Sequence, residues 1–357
     1  MIELNKLQNK ILVFLFKNKN KALSPLEIHE LLLKNDYKHS LLTTKRSIYF
    51  LKDNDYIKSS GKGRSVSYHL TTLGNLFLNT DFKEYFNTDP DNRFGRSDFN
   101  FEIFKNFPEH IFSQEEIKDL DKASQVFKKR SVSESISKKE YERFVIEFSW
   151  KSSKLEGNTY SLLETEKLLF KNQESENKTR EETQMILNHK KAFDYIISNL
   201  DKFKFVNKKN LREVHSLIVD DLEIEKDFRS TPVGITASIY SPLDNKHQII
   251  EAIEDLLNLV NRVELVYTKA FILLFGISYI QAFEDGNKRT ARFLTIALLM
   301  ANGLAPISYR SVDEFDYKMA VVCFYELNSI IPLKSIFLSQ YIFACNNYLN
   351  FNKKVSS

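Results

Sequence analysis

The sequence predicts a mainly helical protein of two or three domains, and three observations predict it. Nine glycines and seven prolines in 357 residues are well under half of the ~12% usual for that pair. Sandwiches, barrels and propellers need a turn about every ten residues, and this chain lacks the residues to make them. A hydrophobic content of 43%, with 29 Phe and 16 Tyr, supplies a large core and excludes disordered and fibrous classes. Finally, apolar side chains recur at helical spacing along most of the chain.

The longest apolar stretches, ILVFLF near the N-terminus and FILLFGISYIQAF later, fall short of the ~20 residues of a membrane span. No signal-peptide pattern is present, so a cytoplasmic protein without membrane contact is expected. Cys323 and Cys345 lie in apolar helical patterns and read as reduced core thiols. Net charge is +4, unevenly placed: residues 1–70 carry 13 Lys/Arg against 6 Asp/Glu, which leaves 38 against 41 beyond. A basic module precedes a mildly acidic body.

In that module, Leu4, Leu7, Ile11, Leu12, Phe14 and Leu15 fall near one helical face. Ser24-Pro25-Leu26-Glu27 is a capping box with proline at the first helical position, and opens a second helix through about Leu33. Thr43 or Thr44 can cap a third, with Lys45 and Arg46 in its first turn and Ile48, Leu51, Tyr49 and Phe50 facing in. YIKSSGKGRSVSYHLT then alternates around Gly61 and Gly63, as a hairpin does. Three helices and a glycine-tipped hairpin over residues 1–80 describe a winged helix-turn-helix. Its third helix would enter a DNA major groove with Thr44, Lys45 and Arg46, while Lys62 and Arg64 on the wing meet phosphate. The alternative is a winged helix used for protein contacts, with lysines that only solvate a face.

Residues 81–138 read as a linker, with YFNTDPDNRFGRSD (85–98) its polar part, followed by a helical bridge. The body, 139–350, ends in a short tail, 351–357. Within it a long apolar helix from about Glu264 to Ile280 runs into QAFEDGNKRTAR (281–292), and a second follows from about Lys288 to Asn302. The N–H groups of Gly286, Asn287 and Lys288 would open that second helix, where unpaired donors and the dipole favour an anion. Arg289 and Arg292, spaced i, i+3, can both address polyphosphate oxygens. Asp285 could hold a divalent cation between the phosphates. By spacing alone, a capped helix start with two solvated arginines fits equally well.

The stretch 281–292 resembles the signature of the Fic domain family (filamentation induced by cAMP): His, usually Pro, Phe, any residue, Asp or Glu, Gly, Asn, Gly or Lys, Arg, two residues, Arg. Every specified position from Phe283 to Arg292 is matched. SSKLEGNTYS (152–161) resembles the family's inhibitory helix, EETQMILNHKKAFDYI (181–196) its helical core, and FRSTPVGITASIYSP (228–242) its target-docking flap. The resemblance implies a mainly α fold: an all-helical Fic core with a small β-hairpin flap, holding an inhibitory helix at about 145–157. It implies ATP and Mg2+ as cofactors, with Asp285 as metal ligand, and Phe283, Glu284, Gly286, Asn287, Lys288, Arg289 and Arg292 around the nucleotide. Ser152, Glu156 and Gly157 would form the inhibitory element, Glu156 pairing with Arg292 where the γ-phosphate should lie. Val233, Gly234, Ile235 and Thr236 would hold a segment of an unidentified target protein by strand addition. Family members often dimerise, so a homodimer is also among the expected partners.

Three positions depart from the pattern. Gln281 stands where the family has its general-base histidine, and an amide cannot remove a proton. The histidines at 189 and 215 sit in helical patterns, where core or surface roles are commoner than base roles. Lys288 stands where many AMP-transferring members have glycine; Doc toxins, which resemble kinases, share the lysine. Ala282 replaces proline. The expected function is an ATP-dependent protein adenylyltransferase acting on Ser, Thr or Tyr, autoinhibited by Glu156, impaired by Gln281 and joined to a DNA-binding module. Alternatives are an inactive nucleotide-sensing transcriptional regulator, AMP removal, and Doc-like phosphotransfer.

Overall fold

A computed structural model describes residues 4–19, 21–130 and 133–351; the side chain of Arg64 and residues 352–357 of the expected tail lie outside the described residues. The chain divides into two units. The first comprises Met1–Glu109, Gly234–Ser241 and Val322–Pro332, and the second His110–Val233, Pro242–Val321 and Leu333–Ser357.

In the first unit, helix α1 (Lys6–Lys17) starts at Asn5, whose side chain accepts from the Gln8 N–H while the Gln8 side chain accepts from that of Asn5. Helix α2 (Pro25–Lys34) opens on the Ser24/Glu27 capping box. Helix α3 (Leu41–Asp53) begins earlier than the sequence suggests, because Ser40 rather than Thr43 or Thr44 accepts at its N-cap. That shift turns Thr44 inward. It is fully buried, its hydroxyl bonded to His29 Nδ1 at 3.0 Å, and so cannot touch DNA. Lys45 and Arg46 move to the second turn, and Tyr49 points outward, 53% exposed.

Strands β1 (Ile57–Ser60) and β2 (Ser67–Leu70) pair antiparallel, with Ile57 opposite Leu70 and Ser60 opposite Ser67. Leu23 exchanges both backbone hydrogen bonds with Tyr68, which fastens the helices to the hairpin. Short helices α4 (Thr72–Leu76), α5 (Phe82–Asn87) and α6 (Glu102–Lys105) follow. The polar stretch 85–98 is packed rather than loose. The buried Glu326 carboxylate accepts from Tyr85 Oη (2.6 Å), Arg93 Nη1 (3.2 Å) and Ser238 Oγ (2.7 Å). A buried carboxylate is costly unless paired and hydrogen-bonded, so these partners are fixed together.

The second unit contains α7 (Gln114–Lys129), α8 (Glu134–Lys154), α9 (Leu162–Lys171), α10 (Arg180–Ser198), α11 (Lys208–Ile218), α12 (Lys246–Arg262), α13 (Val266–Ile280) and α14 (Asn287–Ala301). Helices α15 (Glu314–Leu327) and α16 (Ile331–Asn347) contribute residues to both units. Helix α13 is buried from Tyr267 to Ile280 except at Lys269, and α14 from Arg289 to Met300. Helices apolar on all sides belong at the centre of a core. Gly276 lets α12 come close, since a Cβ there would lie 2.4 Å from Leu256 Cδ1. Cys323 and Cys345 are buried and free.

Two expectations change. Residues 228–242 contain no strand, so the flap is not a β-hairpin; the only two-stranded pairing among the described residues is β1–β2. Pro232 and Pro242 lack the N–H a ladder would use, and the chain turns near Ala237 at φ 60°. The helix expected at about 145–157 is the last part of the longer α8, and Glu156 lies in the turn beyond its end. Among the described residues no helix is long and apolar enough to cross a membrane.

Candidate functional site

The site lies in the second unit, where α13 ends and α14 begins. Gln281 closes α13 in the left-handed region (φ 52°), a conformation that normally favours glycine or asparagine. Arg229 holds it there. Fully buried, Arg229 donates from Nε to the Gln281 carbonyl (2.6 Å), from Nη1 to Thr231 O (2.7 Å) and from Nη2 to Leu243 O. The Gln281 amide donates to Ser278 O (2.6 Å) and accepts from Asn287 Nδ2 (3.1 Å).

Asn287 closes the loop. Its Oδ1 accepts from Phe283 N (2.9 Å) and its Nδ2 donates to Phe283 O (2.8 Å). Phe283, expected beside a nucleotide, is instead buried and stacked on the His215 ring, with centroids 3.5 Å apart. An apolar ring followed by polar loop residues turns into the core, and here the core is where α11 passes. The Asn287 side chain is likewise occupied with the loop, so it shapes the site but does not present its amide there. Glu284 is exposed, 3.4 Å from the Glu225 N–H.

His215 Nε2 lies 3.0 Å from the Asp285 carbonyl and donates to it. Burial pushes this imidazole down to about 4, so it is neutral at pH 7 and its Nε2 offers no lone pair. His189 is fully buried against Ser153 Oγ and Ser149 O; burial, helped by Arg289 and Arg292, lowers it to about 3. Neither is placed to replace a base at 281. Sequence patterns gave no sign of the roles of Arg229 and His215, because both act on backbone carbonyls far away in the chain.

Gly286 supplies the turn into α14 at φ 78°; a Cβ would crowd Val219 Cγ1 at 3.1 Å. Helix α14 has no side-chain cap, and no described residue accepts from the N–H groups of Asn287, Lys288 or Arg289. Arg289, 2% exposed, pairs with Asp285 Oδ2 (2.7 Å), and its Nη1 is buried with no hydrogen-bond partner among the described residues. An uncapped helix start beside a buried, half-satisfied guanidinium is a place that stabilises an anion. Asp285 is 64% exposed, and no cluster of three metal-ligating side chains occurs among the described residues.

Arg292 is fully buried. It donates from Nε to Ser152 Oγ (3.0 Å), and from Nη2 to Ser152 O (2.9 Å) and Glu156 Oε1 (2.8 Å). Glu156 Oε2 lies 3.0 Å from Lys288 Nζ. Burial alone would raise the Glu156 carboxyl, but Arg292, Lys288 and Arg289 outweigh it and hold it down at about 2. Glu156 is thus gripped by two cations from the first two turns of α14, one of them the lysine that departs from the usual glycine. Gly157, at φ 100°, carries the chain away. The structure therefore brings together Ser152, Glu156, Asp285, Gly286, Lys288, Arg289 and Arg292.

Residues 205–299, which include this loop and both arginines, match the Fic/DOC family model. Over those residues the chain is similar to a Fic/DOC domain. The Fic/DOC fold is also found in solved structures. Fic-1 from C. elegans aligns with a TM-score of 0.56 at 16% identity, over 66% of this chain and 70% of that one. A Fic domain containing signaling protein from Bacteroides thetaiotaomicron aligns at 0.55 and 22%, over 65% and 94%. In sequence, the chain is 27% identical over 183 residues to the protein adenylyltransferase Fic of Nematostella vectensis, covering 46% of this chain and 40% of the relative. It is 26% identical over 214 residues to that of Culex quinquefasciatus, covering 58% and 42%. The chain thus spans about two fifths of the length of the curated relatives it matches.

Proposed function

We propose that this chain is an ATP-binding protein adenylyltransferase of Fic type, held in a resting state by Glu156 and slowed by Gln281. In the reaction a Ser, Thr or Tyr oxygen of a target protein would bond to the α-phosphorus of ATP, and pyrophosphate would leave. The observation that carries this reading is the uncapped start of α14, with the buried Arg289 and Arg292 in its first turns. Polyphosphate oxygens would accept from the free N–H groups and from Arg289 Nη1, the unpartnered atom. Asp285 fits a magnesium ion as a single protein ligand; the cation would neutralise phosphate charge. Glu156 on Arg292 puts a carboxylate where a phosphate would otherwise sit, so its displacement must accompany binding. Gly234 and Thr236, which are exposed, with the half-buried Val233 and Ile235, are the proposed target contact, without a preformed hairpin.

The occupied Gln281 amide favours a second reading, a nucleotide-sensing regulator without transfer activity. In both readings the first unit is a winged helix that binds DNA through Lys45, Arg46, Lys62 and Arg64. Calorimetry tests the shared part: Glu156→Gly should bind ATP at least about tenfold tighter than wild type, and Arg289→Gln should lose it. A Glu156→Gly protein that binds no ATP would overturn the nucleotide reading. Gel shifts at two salt concentrations test DNA contact, which through phosphates must weaken as salt rises; binding indifferent to salt removes it.

A further inference from the structure

The turn that carries Glu156 is fastened to the first turn of α10, and the proposed function gives that attachment no role. Gly157, at φ 100°, puts the freest joint of the backbone immediately beside Glu156. The three residues that follow remove that freedom. Asn158 is buried; its Nδ2 donates to the Glu182 carbonyl (2.8 Å) and its Oδ1 accepts from Tyr160 N (2.9 Å). The Thr159 N–H donates to Glu182 Oε1 (2.7 Å), and Lys178 Nζ donates to the Thr159 carbonyl (2.8 Å). The buried Tyr160 hydroxyl lies 2.7 Å from Thr183 Oγ1.

Glu182 does two things at once. Its Oε2 accepts from Thr179 N at 3.1 Å, as part of the capping box that opens α10, while Oε1 holds Thr159. A carboxylate that accepts from backbone N–H groups makes charge-assisted bonds, stronger than neutral ones, and the helix dipole favours negative charge at this end of α10. The helix start is therefore firm, and the turn after Gly157 is tied to it. On the other side of Glu156, Ser153 Oγ meets His189 Nδ1 of the same helix at 3.1 Å. Glu156 thus stands between two attachments to α10, and a carboxylate so flanked loses little further entropy by staying on Arg292. We propose, on the basis of the nucleotide reading above, that Glu182 and Asn158 are positioning residues of the resting state: they fix the turn at 157–160, keep Glu156 on Arg292, and when loosened shift the chain toward its ATP-binding form. Thr159 is exposed and Glu182 half-buried, so the restraint is adjustable from the surface, away from the residues that would hold phosphate.

Calorimetry with ATP and magnesium on the full chain tests this. Glu182→Gln and Asn158→Ala should each bind ATP about three- to tenfold tighter than wild type, the worth of one or two hydrogen bonds made only in the resting state. In a Glu156→Gly background the same substitutions should change nothing, because the turn then has no carboxylate to hold. A general effect on packing would instead move both backgrounds alike. Hydrogen exchange is the second readout. The amides of 157–160, all bonded in the resting turn, should exchange faster in Glu182→Gln while α13 and α14 keep their wild-type protection. The proposal is overturned if both variants bind ATP as wild type does although Glu156→Gly binds it tighter, if the gain persists in the Glu156→Gly background, or if α13 and α14 lose protection together with the turn. A Glu156→Gly protein that binds no ATP removes the nucleotide reading and this restraint with it, a result distinct from the other three.

Discussion

Arg292→Met is expected to destabilise the protein by about 3 kcal/mol, the lower end of the ~3–5 kcal/mol cost of breaking a buried ion pair. The guanidinium is fully buried and joins Ser152 to Glu156. Removing it leaves the Glu156 carboxylate, 13% exposed, without its main partner. The lower end applies because Lys288 still faces Oε2 at 3.0 Å. Lys288→Met should cost only ~1 kcal/mol or less, since that ammonium is 39% exposed and water screens it. Arg292 is therefore the anchor and Lys288 the latch. Pairing Arg292→Met with Glu156→Gln should recover much of the loss, because the charge left behind is the larger part of the cost. Urea denaturation of the four proteins measures this, and equal destabilisation by the single and double variants would show that Glu156 bears no strain without Arg292.

The same cycle has a pH signature. The Glu156 carboxyl is depressed from 4.5 to about 2. A depressed carboxylate contributes stability that is complete above its unfolded value and is lost as pH falls through the folded one. Between pH 5 and 8 the Arg292→Met penalty should therefore be flat, shrinking only under stronger acid. Mild acidification cannot be what releases Glu156; an anion that competes for Arg292 and Lys288 can.

Much of this was legible in the sequence wherever the determinant was local. The capping boxes at Ser24 and the glycine-led start of α14 depend on neighbours in the chain. The pairing of Glu156 with Arg292 was legible only through family resemblance, since 136 residues separate the two. What the sequence misplaced was decided by tertiary partners. Ser40 rather than Thr44 caps α3, because Thr44 is claimed by His29. Phe283 turns toward His215 rather than outward. The flap lacks its ladder: the Arg229 guanidinium ties Thr231 and Leu243. Gly276 is explained by Leu256, a neighbour in space and not in local sequence.

Combining Gln281→His with Glu156→Gly is expected to raise AMP incorporation from labelled ATP by about 10²- to 10⁴-fold over Glu156→Gly alone, the usual worth of a general base. Histidine is among the residues that tolerate a left-handed backbone, so it can adopt the φ of 52° that Gln281 has now. One ring nitrogen would carry the hydrogen and could donate to the Ser278 carbonyl, as the Gln281 amide nitrogen does, which leaves the lone pair of the other to take a hydroxyl proton. Glu156→Gly is needed as well, because a restored base does nothing while the carboxylate stands on Arg292. Wild type should scarcely label. If it labels as strongly as the double variant, the amide at 281 is no handicap and the base argument fails. A double variant that binds ATP tightly yet transfers nothing would favour the regulator, in which nucleotide occupancy is itself the output. The two outcomes separate on one gel and one titration, because binding depends on α14 and its arginines while transfer also requires a proton acceptor at residue 281.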